Sequence, residues 1–206
     1  MTRQELYKQA DVYKEKIAAN QSKDCMEAEI SQTAAYKYMY TLAKEKEIQI
    51  TEALLKKFHE LVLEEKGLTE EAGSYRNIMI KELSTRHIPP APDELEHLMS
   101  HFIGQMQISR QMFHPIEFAA ICHKRVLEIC PFKEGNEEVA MLVMNLILAH
   151  HGYEIIPSFK AQEEDYLSTL EAAQHPSSPD IDGFISFIAQ CVVRIEEDKC
   201  KKLGIA

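Results

Sequence analysis

The sequence predicts an all-α protein, and three observations support this prediction. Only 7 of its 206 residues are glycine, and the alternating pattern of a β-strand is rare. Several segments carry apolar residues at helical spacing instead. Apolar residues make up 45% of the chain and charged residues 27%, which is typical of a folded domain rather than a disordered chain. We therefore expect helices joined by short turns around one core.

The N-terminal part of the chain predicts three helices. The first is charged and amphipathic and covers residues 2–20, and the second covers residues 25–46. The third begins after Thr51, because threonine favours the N-cap position. The apolar stripe of the second helix contains Met26, Ile30, Ala34, Tyr38 and Leu42. That of the third contains Leu54, Leu55, Phe58, Leu61 and Val62.

The chain changes character after the third helix. The segment from Gly73 to Lys81 is short and partly alternating, and prolines close the region at residues 89–92. Short alternating runs that end in prolines favour a hairpin. We therefore predict a small β-hairpin here, within an otherwise helical fold.

The rest of the chain predicts helices again. One runs from Asp93 past Ser109, and the next has Pro115 at its first position. Residues 139–149 are apolar on nearly every face, so this helix is expected to lie buried at the centre of the domain, with Gly152 ending it. Two further helices are expected over residues 161–173 and 182–202.

Charge and cysteine content exclude several classes of function. A formal charge of −10 disfavours binding to nucleic acid or to an anionic membrane. The N-terminus lacks the apolar core of a signal peptide, and no apolar stretch is long enough to span a bilayer, so we expect a cytoplasmic protein. Five cysteines without CxxC spacing favour buried thiols over disulfides or zinc. They are Cys25, Cys122, Cys130, Cys191 and Cys200.

One loop resembles a known signature. Residues 129–141 read Ile-Cys-Pro-Phe-Lys-Glu-Gly-Asn-Glu-Glu-Val-Ala-Met, which is similar to the Fic signature His-Pro-Phe-x-Asp/Glu-Gly-Asn-Gly-Arg-x-x-Arg. The segment from His114 to His123 is similar to that family's preceding helix. Residues 73–76 and 87–90 resemble the segment that carries its substrate-positioning hairpin, the flap. The resemblance covers roughly residues 20–195.

The resemblance implies a fold and an activity. Residues 51–206 are expected to form a Fic-like helical domain, preceded by a helical extension over residues 1–50. Active relatives transfer AMP from ATP to a protein hydroxyl, with the motif histidine as general base, an acidic residue that holds Mg²⁺ and two arginines that bind the triphosphate. A helix N-terminus and arginine both suit phosphate binding. The flap would comprise Ile78, Met79, Ile80 and Lys81.

Carried over residue by residue, the signature is only partly present. The matching residues are Phe132, Glu134, Gly135 and Asn136, so the loop and the metal-binding carboxylate are expected to be retained, with Asn136 as N-cap of the buried helix. The base position holds Cys130, the second glycine is Glu137, and the two arginines are Glu138 and Met141. The formal charge at the two arginine positions thus changes from +2 to −1.

The leading functional hypothesis is therefore a Fic protein that is weakly active or inactive in AMP transfer and has a regulatory or binding role. Binding of Mg²⁺ and ATP is expected to be weak or absent, and a protein partner is expected at the flap edge. One alternative is an active transferase with altered chemistry or another donor, which would use Cys130 and a Glu134-bound Mg²⁺. The other is a purely structural interaction protein. The oligomeric state stays open and includes a homodimer.

Two weaker signals concern single residues. Glu27, within Cys25-Met-Glu-Ala-Glu, faintly resembles the glutamate of the family's N-terminal inhibitory helix, but the usual arginine partner would be Met141 here, so a surface carboxylate is an equal alternative. His114, His123, His150 and His151 are expected to have structural rather than metal-binding roles. His59 and His87 match family positions without an assigned chemistry.

Overall fold

The structure, a computed structural model, describes residues 1–20, 33–80 and 86–205. Helices dominate this part of the chain, and short turns or 3₁₀ turns join them, as the sequence predicts. The helices are α1 (Arg3–Asn20), α2 (Ala34–Ala43), α3 (Glu52–Lys66), α4 (Leu95–Ser109), α5 (Pro115–Ile129), α6 (Asn136–His150), α7 (Glu163–Ala173) and α8 (Ile181–Leu203).

The ends of α3 and α5 follow the capping chemistry that the sequence predicts. The hydroxyl oxygen of Thr51 accepts from the Leu54 N–H, and Gly67 ends α3 with a φ of 73°. Pro115 is the first residue of α5, where its missing N–H costs no helical hydrogen bond. The predicted starts of these two helices are therefore confirmed.

Helix α6 lies at the centre of the molecule and packs against α2, α3 and α5. Its apolar side chains are buried on nearly every face, as predicted. Asn145 is a fully buried polar residue of this helix, and its Nδ2 donates to the Ile156 carbonyl at 2.8 Å while its Oδ1 accepts from the Ile156 N–H at 2.9 Å. This pair of bonds satisfies the buried amide and fixes the segment after α6 against the helix.

The described helices of residues 1–50 pack on the same core. Helix α1 lies along α8, and α2 lies against α6. Tyr7 of α1 stacks on His114 with ring centroids 4.1 Å apart, and the Tyr153 hydroxyl donates to Asp11. The division at residue 50 stays a prediction. The described part of the predicted second helix is α2, which ends at Ala43 rather than residue 46.

Two local predictions differ from the structure. No strand occurs among the described residues 73–80 and 86–92, so the predicted β-hairpin is not supported. The Arg76 N–H donates to the Pro131 carbonyl of the signature loop instead of to a neighbouring strand. The predicted N-cap Asn136 is the first residue of α6, and the cap is Gly135 with a φ of 76°. The Asn136 side chain is bonded elsewhere, as described below.

A buried carboxyl lies on α8. Glu196 is fully buried, and neither of its carboxyl oxygens has a partner in hydrogen-bonding geometry. The nearby Glu154 main chain acts to lower the pKa of Glu196. Burial is the dominant effect and raises the pKa of Glu196 from its ordinary value of 4.5 to about 8. The carboxyl is therefore neutral near pH 7 in the folded chain.

This carboxyl predicts a specific pH dependence. Unfolded chains lose the Glu196 proton above pH 4.5, whereas folded chains keep it until about pH 8, so the free energy of unfolding should fall as pH rises between these values. Denaturant titrations at several pH values give the free energy of unfolding as a function of pH. We expect this free energy to fall less steeply with pH in Glu196→Gln than in the wild type. The control Glu197→Gln changes a part-exposed neighbour and should keep the wild-type dependence of the unfolding free energy on pH. Parallel profiles for wild type and Glu196→Gln would contradict this account.

Candidate active site

The signature begins at the end of α5, where Cys130 reverses the chain. Cys130 has a φ of 45°, and no other non-glycine residue among those described has a positive φ. Such a left-handed residue commonly ends a helix, although it is strained for any residue with a Cβ. Its thiol is fully buried and donates to the Leu127 carbonyl at 2.9 Å. The side chain at the family's base position therefore points back to its own helix.

Arg76 holds the end of α5. Its buried guanidinium donates to the Cys130 carbonyl at 2.8 Å and reaches the Ile129 carbonyl at 3.5 Å. It also donates to the Ile78 carbonyl at 3.0 Å and to the Pro90 carbonyl at 2.6 Å. The last carbonyls of a helix lack helical partners, and a cation there is favourable. One side chain thus joins both arms of the flap segment to the signature loop.

The loop itself is closed by Asn136. Its Oδ1 accepts from the Phe132 N–H at 3.0 Å, and its Nδ2 donates to the Phe132 carbonyl at 2.8 Å. Both residues are buried. These two reciprocal bonds fix the turn of four residues before α6.

His59 of α3 contacts the same loop. Its ring stacks on Phe132 with centroids 3.8 Å apart. The Gly73 N–H donates to Nδ1 at 3.0 Å, so Nε2 carries the proton and donates to the Glu134 carbonyl at 3.1 Å. Burial lowers the pKa of His59, which keeps the ring neutral and this pattern intact. The residue is a structural support of the loop.

The first turn of α6 presents carboxylates. Glu137 and Glu138 occupy the positions where the signature has glycine and arginine, as predicted. The Glu138 carboxylate pairs with Lys66 in the last turn of α3. This pair is half exposed, so it adds little to stability. The carboxylates of Glu137 and Glu138 are both favourably placed at the positive end of the α6 dipole. The protein's own anions thus lie where a phosphate would bind.

A cavity of about 450 Å³ opens beside this turn. Its lining includes four glutamates and two lysines, so the charge that it presents is negative. The charged residues are Glu65, Lys66, Glu137, Glu138, Lys160 and Glu163. Apolar side chains form the remaining wall, among them Tyr36, Val62, Met141, Leu142, Phe159 and Leu167. This is a site of suitable size for a small molecule, with the wrong sign for a triphosphate.

Glu134 does not face this cavity. Its exposed side chain lines a second cavity beside Glu70, Glu71 and Lys133, and Lys133 pairs with Glu71 at 3.0 Å. Among the described residues no group of three or more His, Cys, Asp or Glu side chains is placed to hold a metal ion. Mg²⁺ usually binds to one or two carboxylates together with substrate phosphates. These residues therefore fit Mg²⁺ poorly without a bound polyphosphate.

The described flap residues, 78–80, lie at or near the surface. Ile78 is 47% exposed and Met79 is 57% exposed, while Ile80 is partly buried. Lys81 and the inhibitory-type Glu27 both lie outside the described residues. The two exposed apolar side chains follow directly after the Arg76 anchor, so a fixed backbone presents them to solvent.

The histidines that invited a metal hypothesis have structural contacts. His114 accepts from the Ile116 N–H at the start of α5, and the buried His123 bonds the Tyr166 hydroxyl at 2.8 Å. Nδ1 of His150 lies 3.2 Å from the Ala43 carbonyl. Sequence reasoning gave His59 no role and Arg76 only a place in the flap resemblance. The available signal was the position of His59 on the buried stripe of α3, where a polar ring needs partners.

Comparison with known proteins agrees with the geometry. The profile of the Fic/DOC family matches residues 49–148. A protein adenylyltransferase Fic from Nematostella vectensis is 38% identical over 126 residues, which are 60% of this chain and 28% of that protein. One from Culex quinquefasciatus is 33% identical over 164 residues, which are 78% of this chain and 31% of that protein. The chain belongs to the Fic/DOC family, and it spans about a third or less of the length of these curated relatives.

Solved structures share the fold. A Fic-domain-containing signaling protein from Bacteroides thetaiotaomicron has a TM-score of 0.71 at 20% identity, over 82% of this chain and 70% of that chain. Residues 134–508 of Fic-1 from C. elegans have a TM-score of 0.70 at 21% identity, over 83% of this chain and 49% of that one. No helix within the described ranges combines the length and apolar character needed to cross a membrane.

Proposed function

We propose that this chain is a Fic protein that has largely lost AMP transfer and acts as a binding or regulatory module. Its relatives are named protein adenylyltransferases, so AMP transfer to a protein hydroxyl is the reaction that we propose this chain has largely lost. The observation that carries the proposal is the first turn of α6. There Glu137 and Glu138 lie where the signature has glycine and arginine.

Electrostatics makes these substitutions costly for a triphosphate. Two unit charges 4 Å apart interact by about 4 kcal/mol at an effective dielectric of 20. Replacing two arginines by Glu138 and Met141 removes two attractions and adds one repulsion. Even if solvent screening halves each of these interactions to about 2 kcal/mol, each one changes the affinity for the triphosphate about 30-fold. Glu134 remains exposed, but it would meet no bound phosphate with which to share Mg²⁺.

The state of Cys130 also favours this proposal over an altered transferase. A nucleophile or base has to reach substrate, and its reactive form is the thiolate. Here the thiol is fully buried and donates its proton to the Leu127 carbonyl. Loss of a general base typically lowers a rate by about 10²- to 10⁴-fold.

The binding role is proposed at the flap edge. Ile78 and Met79 are exposed beside a backbone that Arg76 holds in place. An anchored segment with exposed apolar side chains is suited to contact with a protein partner. The structure of a mutant IbpAFic2 has been solved in complex with adenylylated Cdc42. By analogy, the proposed binding partner of this chain is a protein.

An AMP-transfer assay tests the proposal. The chain is incubated with a cell lysate, Mg²⁺ and α-³²P-ATP, beside the Nematostella vectensis relative as positive control. We expect no protein labelling above that of the Glu134→Ala variant. Strong labelling of a protein that Glu134→Ala abolishes would overturn the proposal.

A further inference from the structure

Helix α4 exposes two histidines on one face. His97 and His101 are four residues apart, and both side chains are exposed to solvent. Their ring centroids lie 6.4 Å apart, with the ring planes only 17° from parallel. Residues at this spacing on a helix have Cβ atoms about 5–6 Å apart, so the two rings extend from neighbouring turns in the same direction.

Nothing in the described part of the chain engages these rings in a hydrogen bond or ion pair. The adjacent pair His150 and His151 differs in this respect. Their centroids are closer, at 5.1 Å, but the rings stand at 80° and Nδ1 of His150 lies against the Ala43 carbonyl. His97 and His101 therefore keep ring nitrogens available for a common ligand.

The geometry points to a transition-metal site formed by His97 and His101. Two histidines at this helical spacing can both coordinate one ion, and imidazole suits Cu²⁺, Ni²⁺ and Zn²⁺. No third His, Cys, Asp or Glu among the described residues completes the set, so water occupies the remaining positions. The site takes one divalent ion, with Cu²⁺ bound more tightly than Ni²⁺ or Zn²⁺.

This site is separate from the signature loop. Neither histidine lines the cavities beside Glu134 and Glu138. The inference does not depend on the proposed loss of AMP transfer. Failure of one proposal therefore leaves the other standing.

Titration calorimetry with Ni²⁺ near neutral pH tests the site, because Ni²⁺ does not oxidise the cysteines. The matched control is the double variant Glu96→His/His97→Glu. It keeps composition and charge but places the histidines five residues apart, about 140° around the helix. Positions 96 and 97 are both exposed, so the exchange should leave folding intact.

We expect the wild type to bind Ni²⁺ at least tenfold more tightly than His97→Ala, His101→Ala and the exchange variant. Circular dichroism checks that the variants stay helical. Equal Ni²⁺ affinity in the wild type and the exchange variant would overturn the proposal, as would the absence of saturable wild-type binding.

Discussion

The double variant Glu138→Arg/Met141→Arg is expected to bind Mg-ATP about 10⁴-fold more tightly than the wild type. Each restored arginine contributes about 2 kcal/mol of attraction after solvent screening, and removal of the Glu138 carboxylate ends a repulsion. The change also frees Lys66, the present partner of Glu138, to approach a phosphate. Calorimetric titration with Mg-ATP measures the gain.

The control for this gain is Glu163→Arg. Glu163 lines the same cavity from α7, so the substitution makes the cavity more positive without placing a cation at the α6 N-terminus. We expect it to improve Mg-ATP affinity less than tenfold. Equal gains from both variants would show that general charge, rather than the first turn of α6, governs binding. No gain from the double variant would contradict the electrostatic account.

Arg76→Met is expected to lower the free energy of unfolding by about 3 kcal/mol. Methionine keeps much of the side-chain volume but leaves the carbonyls of Cys130, Ile78 and Pro90 without their donor. Hydrogen bonds to a charged group each contribute about 1.5–3 kcal/mol, and relaxation or water recovers part of the loss. Denaturant titration monitored by circular dichroism measures the change.

Two controls separate this role from ordinary surface charge. Arg86 is 92% exposed, and Arg86→Met should leave stability unchanged within error. Arg76→Lys should recover only part of the loss, since an ammonium cannot reproduce the planar fork of a guanidinium. Equal stability of Arg76→Met and Arg86→Met would contradict a stabilising role for the hydrogen bonds that Arg76 donates to the carbonyls.

Local chemistry made the helices predictable. Thr51 caps α3, Pro115 begins α5, and the unbroken apolar run of α6 identifies the central helix. Each of these signals depends on residues within one or two turns of one another. The resemblance of the signature loop gave the family, because Phe132 and Asn136 carry the loop shape.

Contacts between distant segments were not predictable in the same way. Arg76 bonds carbonyls more than 50 residues away, and His59 bonds the Glu134 carbonyl 75 residues away. No local pattern encodes such partners. The predicted hairpin is not supported in the described residues for the same reason, since alternation indicates an extended chain but not the segment that pairs with it. Here that partner is Pro131.

The electrostatic character of the α6 N-terminus is the centre of this account. A helix start that would bind phosphate carries its own carboxylates, while Arg76, His59 and Asn136 still hold the loop in place. The contacts that hold the loop therefore do not depend on the proposed loss of AMP transfer. It follows that the wild type should be stable and folded in the absence of nucleotide.

Calorimetric titration of the wild type with Mg-ATP tests this claim most directly. We expect no saturable binding tighter than about 1 mM, which corresponds to about −4 kcal/mol. Lower salt should not improve the affinity, because the cavity repels the ligand rather than attracting it. Saturable binding in the micromolar range that strengthens at low salt would contradict the account.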